Sequence, residues 1–283
     1  MEIRPPVGGG VEQVATDVAG LRGRGVSLFS VAPSRSARAQ LSPMSLALHL
    51  RQNAGAETIL TVTTWDKNIM TLQADLLGAH ALGVRSIICQ TGSPPLRGDY
   101  PNVDGIWDVD SVGLIQLLDG LNHGRDCDGL VLEEATSFCI GARFNPSAQD
   151  FDTEFARTQA KIRAGAQFLV THPLYELDSL RGMMAALGDP RVPVLLAAAP
   201  LRSFSEAEYL RHEVPDAAMP DSVLDAMRRA GDQEAETGLQ LAEELLGQAR
   251  GLVDGVVLSI PDNSIAILDR LLRAAAGPAR LSR

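Results

Sequence analysis

Clustered positive charge is the first thing that this sequence lacks. Its 283 residues include 25 Lys and Arg against 35 Asp and Glu, which gives a net charge of −10. A surface that neutralises nucleic-acid phosphates needs basic side chains in clusters. The Arg-rich run from Arg35 to Arg38 is typical of a solvated loop. We therefore expect no nucleic-acid partner.

Cysteines and long apolar segments are also scarce. Cys89, Cys127 and Cys139 are far apart and odd in number, which favours reduced packing thiols over a disulfide framework or a metal site. No apolar run approaches the roughly 18 to 20 residues of a membrane span, and the first residues lack the pattern of a signal peptide. The sequence thus predicts a cytoplasmic protein that binds no metal and does not enter a membrane.

Aromatic residues make up only 4% of the chain, whereas 45% of it is hydrophobic and 21% is charged. This balance is typical of a globular core and excludes extended disorder. The length suits one α/β barrel, a class that spans roughly 200 to 300 residues. No Gly/Ser-rich or Pro-rich linker interrupts the chain. We therefore expect a single domain over residues 1–283.

Short β-branched and apolar runs alternate with stretches of helical spacing, which predicts parallel strands joined by crossover helices. The predicted strands are Met1–Arg4, Val26–Val31, Thr58–Thr63, Arg85–Gln90, Thr136–Phe144, Gln167–Thr171, Pro193–Ala198 and Gly255–Ile260. The predicted helices are Gly10–Arg22, Pro43–Asn53, Asn68–Leu82, Asp110–Leu121, Asp150–Ala164, Leu177–Leu187, Ser205–Arg211, Ser222–Ala230, Gln233–Gln248 and Ser264–Ala274. This pattern predicts a (β/α)8 TIM barrel with additional helix before its last strand.

Two helix starts carry recognisable capping signals. Ser42 precedes Pro43, and Ser205 stands three residues before Glu208. A hydroxyl side chain followed by proline, or by an acidic residue three positions later, is typical of a helix N-cap. We therefore expect Ser42 and Ser205 to cap the helices that follow them.

Chemistry in a TIM barrel belongs at the carboxyl ends of the strands. In this sequence those ends are polar: Glu2, Ser30, Thr61, Thr63, Thr64, Asp66, Gln90, Thr91, Gly92, Ser93, Arg143, Asn145, Thr171 and His172. A carboxyl group that faces the barrel interior would have a raised pKa and could serve as a general acid. That is one interpretation of Glu2; an exposed, frayed terminal residue is the other.

His172 and Gly92 each have a functional and a structural interpretation. His172 directly follows an apolar strand, where it could hydrogen-bond a ligand or shuttle a proton. A structural histidine fits that position equally well. Gly92 follows the fourth strand and precedes two prolines, so the backbone there could approach a ligand closely. A simple turn would need nothing more.

Several ordered segments carry a resemblance that covers nearly the whole chain. They are Glu2-Ile-Arg-Pro-Pro, Thr61-Val-Thr-Thr-Trp-Asp-Lys-Asn, Gln90-Thr-Gly-Ser-Pro-Pro, Asp108-Val-Asp-Ser-Val-Gly-Leu-Ile, Gly141-Ala-Arg-Phe-Asn-Pro, Lys161-Ile-Arg-Ala-Gly-Ala-Gln, Val170-Thr-His-Pro-Leu-Tyr-Glu and Ala199-Pro-Leu-Arg-Ser-Phe. In this order and spacing they resemble the methylenetetrahydrofolate reductase family. The resemblance implies a TIM barrel with FAD at the strand ends, NADH or NADPH as electron donor, and methylenetetrahydrofolate as the folate substrate.

The resemblance also implies roles for particular residues. Glu2 corresponds to the acid that assists opening of the folate imidazolidine ring. Cofactor contacts are implied for Thr61, Thr63, Thr91, Gly92, Ser93, Trp107, Asn145, Lys161 and His172. Substrate contacts are implied for Ser93, His172 and Phe204, the last at a position that stacks on folate.

Several departures from the family pattern fall on the cofactor side. An aspartate near the flavin and pterin is Ser93 here, the arginine before it is Thr91, and a strand-three histidine is Thr61. A strand-two threonine is Ala32, and a strand-six glutamine is His172. A lost charged hydrogen bond typically costs about 1.5 to 3 kcal/mol, so retention of FAD stays open.

The function expected from the resemblance is a cytoplasmic NAD(P)H-dependent reductase that uses Glu2 as general acid. Two alternatives stay open. One is a divergent folate-binding or partner protein without reductase activity, and the other is a reductase of a different substrate that lacks FAD. The choice between NADH and NADPH and the formation of a homo-oligomer also stay open.

Overall fold

The computed structural model describes residues 1–26, 28–33, 39–92, 102–188, 191–214, 217–260 and 264–276. Its eight strands are β1 Glu2–Ile3, β2 Phe29–Val31, β3 Thr58–Thr63, β4 Ser86–Gln90, β5 Cys139–Phe144, β6 Phe168–Thr171, β7 Val194–Ala198 and β8 Gly255–Leu258. They form one sheet in the order β1 to β8. Neighbours in chain order are therefore neighbours in the sheet, as repeated right-handed β-α-β crossovers require.

Ten α-helices lie in the described part of the chain. They are α1 Val11–Arg22, α2 Pro43–Ala54, α3 Ile69–Ala81, α4 Ser111–Asn122, α5 Phe151–Arg163, α6 Asp178–Leu187, α7 Phe204–Glu213, α8 Asp221–Arg229, α9 Glu234–Gln248 and α10 Ile265–Ala276. A helix follows every strand, and three helices separate β7 from β8. The predicted (β/α)8 TIM-barrel class and the additional helix before the last strand are confirmed.

The chain divides into two compact units. Unit 1 comprises Met1–Arg143 and Ala160–Phe168, and unit 2 comprises Phe144–Gln159 and Leu169–Arg283. The expectation of a single domain over the whole chain stays a prediction.

In unit 1 the side chains along each strand point alternately to the two faces of the sheet. One face is mostly apolar, with apolar residues that are at most 8% exposed, and it also carries the buried Thr58: the apolar members include Ile3, Val31, Leu60, Val62, Ile87, Cys89, Ile140 and Ala142. Helix α2 packs against β2 and β3, and helix α4 packs against β4. These helices present apolar stripes at helical spacing, such as Leu46 and Leu50 of α2. Burial of such surface at about 25 cal/mol per Å² stabilises this layer.

Unit 2 has its own apolar cluster between the helices that precede β8. Its buried members are Leu201, Ala207, Leu210, Met219, Val223, Leu224 and Met227. Arg270 of α10 bridges Glu236 and Glu243 of α9 with hydrogen bonds of 2.7 to 3.0 Å. Apolar burial and this charged clamp therefore both fix the helices of unit 2.

Several predicted element boundaries were wrong by one to three residues, and two of them have a clear local reason. Helix α7 is capped by Ser203, whose Oγ accepts from Glu206 N at 3.1 Å, and not by Ser205. Strand β5 begins at Cys139 rather than at Thr136, because the Asn122 side chain already bonds the backbone of Phe138.

The three cysteines are free, but only Cys89 is buried; Cys127 and Cys139 are exposed. The prediction that all three are packing residues was therefore wrong for two of them. Within the ranges that the structure describes, no helix has the length and apolar character needed to cross a bilayer. Those ranges also contain no group of three or more His, Cys, Asp and Glu side chains that could hold a metal ion.

Candidate functional site

The second face of the unit 1 strands carries the polar candidates. Register pairs Glu2 with Ser30, Thr61 with Ile88, and Thr63 with Gln90. Because successive side chains of a strand point to opposite faces, one face gathers Glu2, Ser30, Thr61, Thr63, Gln90 and Arg143. We call this set the polar face. The same alternation therefore buries the apolar side chains against the helices and places the polar side chains together on the opposite face of the sheet.

Glu2 and Arg143 form an ion pair on the polar face. Arg143 Nη2 donates to Glu2 Oε2 at 2.7 Å, and the two side chains are only 8% and 9% exposed. Arg4 Nη2 lies 3.6 Å from the other carboxylate oxygen and is about half exposed. A guanidinium at this distance stabilises the ionised carboxylate. The pair therefore opposes the proton uptake that a resting general acid would need.

Strand β1 is anchored despite its length of two residues. The Met1 amino group donates to Leu28 O at 2.7 Å, and Ser30 N donates to Met1 O at 2.7 Å. Burial lowers the pKa of the Met1 amino group to about 6, against the opposing effect of the Glu2 charge. The interpretation of Glu2 as a frayed, exposed residue is therefore wrong.

Two hydroxyls of the polar face lack a hydrogen-bond partner within the described protein. They are Ser30 Oγ and Thr61 Oγ1, and each residue is only 2% exposed. Thr58 Oγ1 on β3 is equally buried and also lacks a partner. Thr58 pairs with Phe29, however, and so belongs to the opposite face of the sheet. Buried polar atoms without partners are uncommon in folded proteins and call for an explanation.

The segment that follows β4 bonds to the segment that follows β3. Thr91 O accepts from Thr64 N and Trp65 N at 3.3 Å each, and Thr91 Oγ1 accepts from Ser111 N at 3.2 Å. Thr63 Oγ1 donates to Asp66 Oδ1 at 3.1 Å. The hydroxyls of Thr63 and Thr91, both predicted cofactor contacts, therefore already bond groups of the chain itself.

Gly92 is a position that only glycine fits. Its φ is +87°, and a Cβ there would lie 2.2 Å from Trp65 Cδ1. A group does lie close to Gly92, but it is the indole of Trp65; the predicted approach to a ligand stays a prediction. Trp65 O accepts from Ile106 N at 2.6 Å, which brings the next predicted residue, Trp107, into this region of unit 1. Trp107 is 56% exposed.

Lys161 lies in the last turn of α5, and its side chain contacts β5. Its Nζ donates to Arg143 O at 2.7 Å, and the residue is buried. Its charge also acts on the Cys89 thiol, whose pKa is raised by complete burial and is only partly lowered again by Lys161. Cys89 belongs to the apolar face. Lys161 therefore fixes the backbone of the residue that holds Glu2.

Three predicted site residues belong to unit 2. Asn145 Oδ1 accepts from Ser147 N at 3.1 Å, and its own N donates to Glu154 at 2.9 Å. His172 is half-buried, and its backbone N donates to Phe144 O at 2.8 Å. Asn145 and His172 therefore both follow strands, as expected for site positions.

Phe204, the third of these residues, packs within unit 2. Its ring packs partly against the apolar cluster of unit 2. The Arg228 guanidinium lies 5.2 Å from the ring centroid, in a cation–π contact. One ring face is therefore covered by the chain itself.

The structure brings Glu2, Thr61 and Thr63 together on the polar face of unit 1, with Thr91 and Gly92 just beyond it. Ser93 lies outside the described residues. Three members of the polar face, Ser30, Gln90 and Arg143, were noted from the sequence as polar strand-end residues but were given no role. Ser30 and Arg143 are each a single polar residue between apolar neighbours in a strand, and that alternation was the available signal.

Comparison with known proteins identifies related sequences and folds. The family model of methylenetetrahydrofolate reductase matches residues 2–256. An uncharacterised Clostridium thermocellum protein that binds two copies of 5-methyl-5,6,7,8-tetrahydrofolic acid has a TM-score of 0.62 at 11% identity, over 97% of this chain and 92% of that one. Oxaloacetate acetylhydrolase has a TM-score of 0.51 at 11% identity, over 96% and 80% of the two chains. At these identities the structural likeness shows the fold alone.

Proposed function

Because this chain belongs to the methylenetetrahydrofolate reductase family, we propose that it reduces 5,10-methylenetetrahydrofolate to 5-methyltetrahydrofolate with NADH or NADPH. The observation that most supports this proposal is the Glu2–Arg143 ion pair on the polar face. Removal of two charges from water is costly, so such pairs are concentrated where a protein needs charge for function. This pair lies at the strand ends, where the fold class holds its active sites.

The reaction adds one hydride to the methylene carbon and one proton to the nitrogen that leaves it. The nicotinamide supplies the hydride, and we assign the proton to Glu2. Arg143 stabilises Glu2 as a carboxylate in the free protein, at 2.7 Å. Glu2 must therefore take up a proton before it can donate one, and substrate binding that loosens the ion pair is the step that would permit this.

FAD fits the predicted cofactor residues poorly. The approach to Gly92 is filled by Trp65, and the hydroxyls of Thr63 and Thr91 bond groups of the chain. Lys161 likewise donates to the Arg143 backbone. A flavin would have to replace these bonds, of which that of Lys161 is buried, and a buried group left unpaired costs about 1 to 3 kcal/mol. We therefore propose that the nicotinamide transfers its hydride directly to the folate, without a flavin.

Two measurements test the flavin-free route. Addition of FAD should leave the thermal unfolding temperature unchanged, because a ligand that does not bind the folded state cannot stabilise it. Initial rates with both substrates varied should give intersecting double-reciprocal lines, the pattern of a ternary complex. Parallel lines, or flavin absorbance in the purified protein, would contradict direct transfer.

The role of Glu2 is tested by Glu2→Gln. Loss of a general acid should lower turnover by at least about 100-fold, a larger effect than any loss of affinity for the folate. Glu12→Gln is the matched control, because Glu12 lies on α1 with its side chain 85% exposed. An unchanged rate in the Glu2 variant would remove its catalytic role, and a loss of affinity without a loss of rate would make it a binding residue.

A second candidate function is folate binding without reduction. It is favoured by the two guanidiniums, Arg143 and Arg4, that flank Glu2 and stabilise its anionic form. A carboxylate kept in this form suits acceptance of N–H groups from a ligand better than donation of a proton. Calorimetric binding of 5-methyltetrahydrofolate together with no folate-dependent oxidation of NADH or NADPH would favour this function over the reductase.

A further inference from the structure

We propose that Ser30 and Thr61 are substrate-contacting residues whose hydroxyls hydrogen-bond the pterin ring of the reduced folate. The inference rests on the proposed function and names the part of the polar face that recognises the substrate. Ser30 Oγ and Thr61 Oγ1 have no hydrogen-bond partner within the described protein, and both residues are 2% exposed. A buried hydroxyl is costly unless something bonds it, and a ligand that displaces the side chains now covering these two oxygens would be that partner.

The sheet register places these hydroxyls beside the charged pair. Ser30 on β2 is the direct neighbour of Glu2 on the adjacent parallel strand β1, with Cα atoms about 4.8 Å apart. Ser30 also pairs with Ile59, and Thr61 is two residues further along the same face of β3. The two Cα atoms are therefore roughly 8 Å apart. This spacing suits two groups that contact one fused bicyclic ring.

Apolar groups complete the same part of the face. Thr61 pairs with Ile88, and Ile88 pairs with Gly141. A Cβ at Gly141 would lie 2.2 Å from Phe168 Cζ, so the ring of Phe168 covers this glycine. Small-molecule sites commonly combine apolar walls with a few placed polar groups. Ile88 and Phe168 supply such walls next to the hydroxyls.

The set of polar groups favours a flat heterocycle with alternating donors and acceptors. A hydroxyl both donates and accepts, whereas the Glu2 carboxylate only accepts and Arg143 only donates. The pterin ring of a reduced folate offers ring N–H groups, an amino group and a carbonyl oxygen along one edge. These groups can bond the hydroxyls and the carboxylate together, which a purely apolar or purely anionic ligand could not do.

The decisive experiment compares two threonines on the same strand. Thr61→Val and Thr58→Val each remove an equally buried hydroxyl that lacks a partner, but Thr58 belongs to the opposite face. The full-length variants are titrated with 5-methyltetrahydrofolate in a calorimeter. Thr61→Val should weaken binding by roughly 5- to 100-fold, the factor for one lost buried hydrogen bond. Thr58→Val should bind within about twofold of the original protein.

Two further variants separate the effect of losing the hydroxyl from the effect of changing the side-chain shape. Ser30→Ala should weaken binding as Thr61→Val does, whereas Thr61→Ser keeps the hydroxyl and should retain most of the affinity. Thermal unfolding of every variant checks the fold, and no loss of stability is expected, because the removed hydroxyls bond nothing in the described protein. A variant that fails to unfold cooperatively is replaced by the Thr61→Ser and Thr61→Ala comparison at the same position.

The outcomes are distinguishable. If the original protein binds the folate and Thr61→Val binds equally well, or Thr58→Val loses as much affinity, the assignment of Ser30 and Thr61 is overturned and the proposed function stands. If the original protein neither binds reduced folates nor turns them over, the proposed function fails and the assignment fails with it.

Discussion

Arg143 on β5 donates to Glu2 on β1 at 2.7 Å, and more than nine-tenths of each side chain is buried. Arg143→Met would leave the Glu2 charge buried without this partner, so we predict a loss of about 3 to 5 kcal/mol in the free energy of unfolding. Urea denaturation measures it. Arg4→Met is the control: Arg4 is 45% exposed and 3.6 Å from Glu2, so its loss should cost at most about 1 kcal/mol.

The double variant Glu2→Gln/Arg143→Met extends this prediction. Because the two groups act on each other, the double variant should be more stable than the sum of the single losses implies, with a coupling of about 0.5 to 3 kcal/mol. Additive losses would show that the ion pair does not contribute as a unit.

The secondary structure could be predicted because its signals are local. Helix α2 was placed by Ser42, Pro43 and the spacing of its apolar residues, and Ser42 and Pro43 occupy the N-cap and first helical positions. The strand order followed from the alternation of strands and helices. Helix α7 shows the limit, since Ser203 and Ser205 each stand three residues before a glutamate. The local pattern could not choose between these two N-caps.

The candidate site was less predictable because its contacts are long-range. Glu2 and Arg143 are 141 residues apart in sequence, and no local pattern reports that they meet. The fit of Trp65 against Gly92 likewise depends on how the segments after β3 and β4 lie together. Gly92 was expected to let the backbone approach a ligand, and in the structure the indole of Trp65 lies against it. The identity of the approaching group depends on tertiary packing, and the order of residues in the sequence does not reveal that packing.

His80 provides a pH-dependent prediction. Its Nε2 accepts from Ser137 N at 3.0 Å, which requires a neutral ring at that nitrogen. Burial and then the nearby Arg85 charge lower the pKa of His80 below its ordinary value of 6.5. The unfolded chain therefore binds a proton here at a higher pH than the folded chain. This contribution to stability is fully present above about pH 6.5 and is lost as the pH falls below that value.

We predict that the free energy of unfolding drops less between pH 7.5 and pH 5.5 in His80→Gln than in the original protein. Denaturant titrations at the two pH values measure the difference. His123→Gln is the control, because the side chain of His123 is 71% exposed at the end of α4. An equal drop in the original protein and His80→Gln would contradict the assignment of the neutral ring.

Two glycines of helix α9 provide a matched pair for packing. A Cβ at Gly238 would lie 2.0 Å from the backbone oxygen of Leu201, whereas the nearest atom at Gly247 would be 3.8 Å away, at the end of the Arg250 side chain. Neither glycine has a positive φ, so alanine is compatible with the backbone at both positions. The two substitutions therefore differ in packing and share the same gain in helix propensity.

Gly238→Ala should lower the free energy of unfolding by about 1 to 3 kcal/mol, because backbone on both sides must move to admit the methyl group. Gly247→Ala should raise it by up to about 1 kcal/mol, since alanine loses less conformational entropy in a helix than glycine does. Thermal and urea unfolding of both variants test the pair. Stabilisation by both substitutions would mean that α9 can move away from Leu201 at little cost, and that this close contact is not what fixes the helix in unit 2.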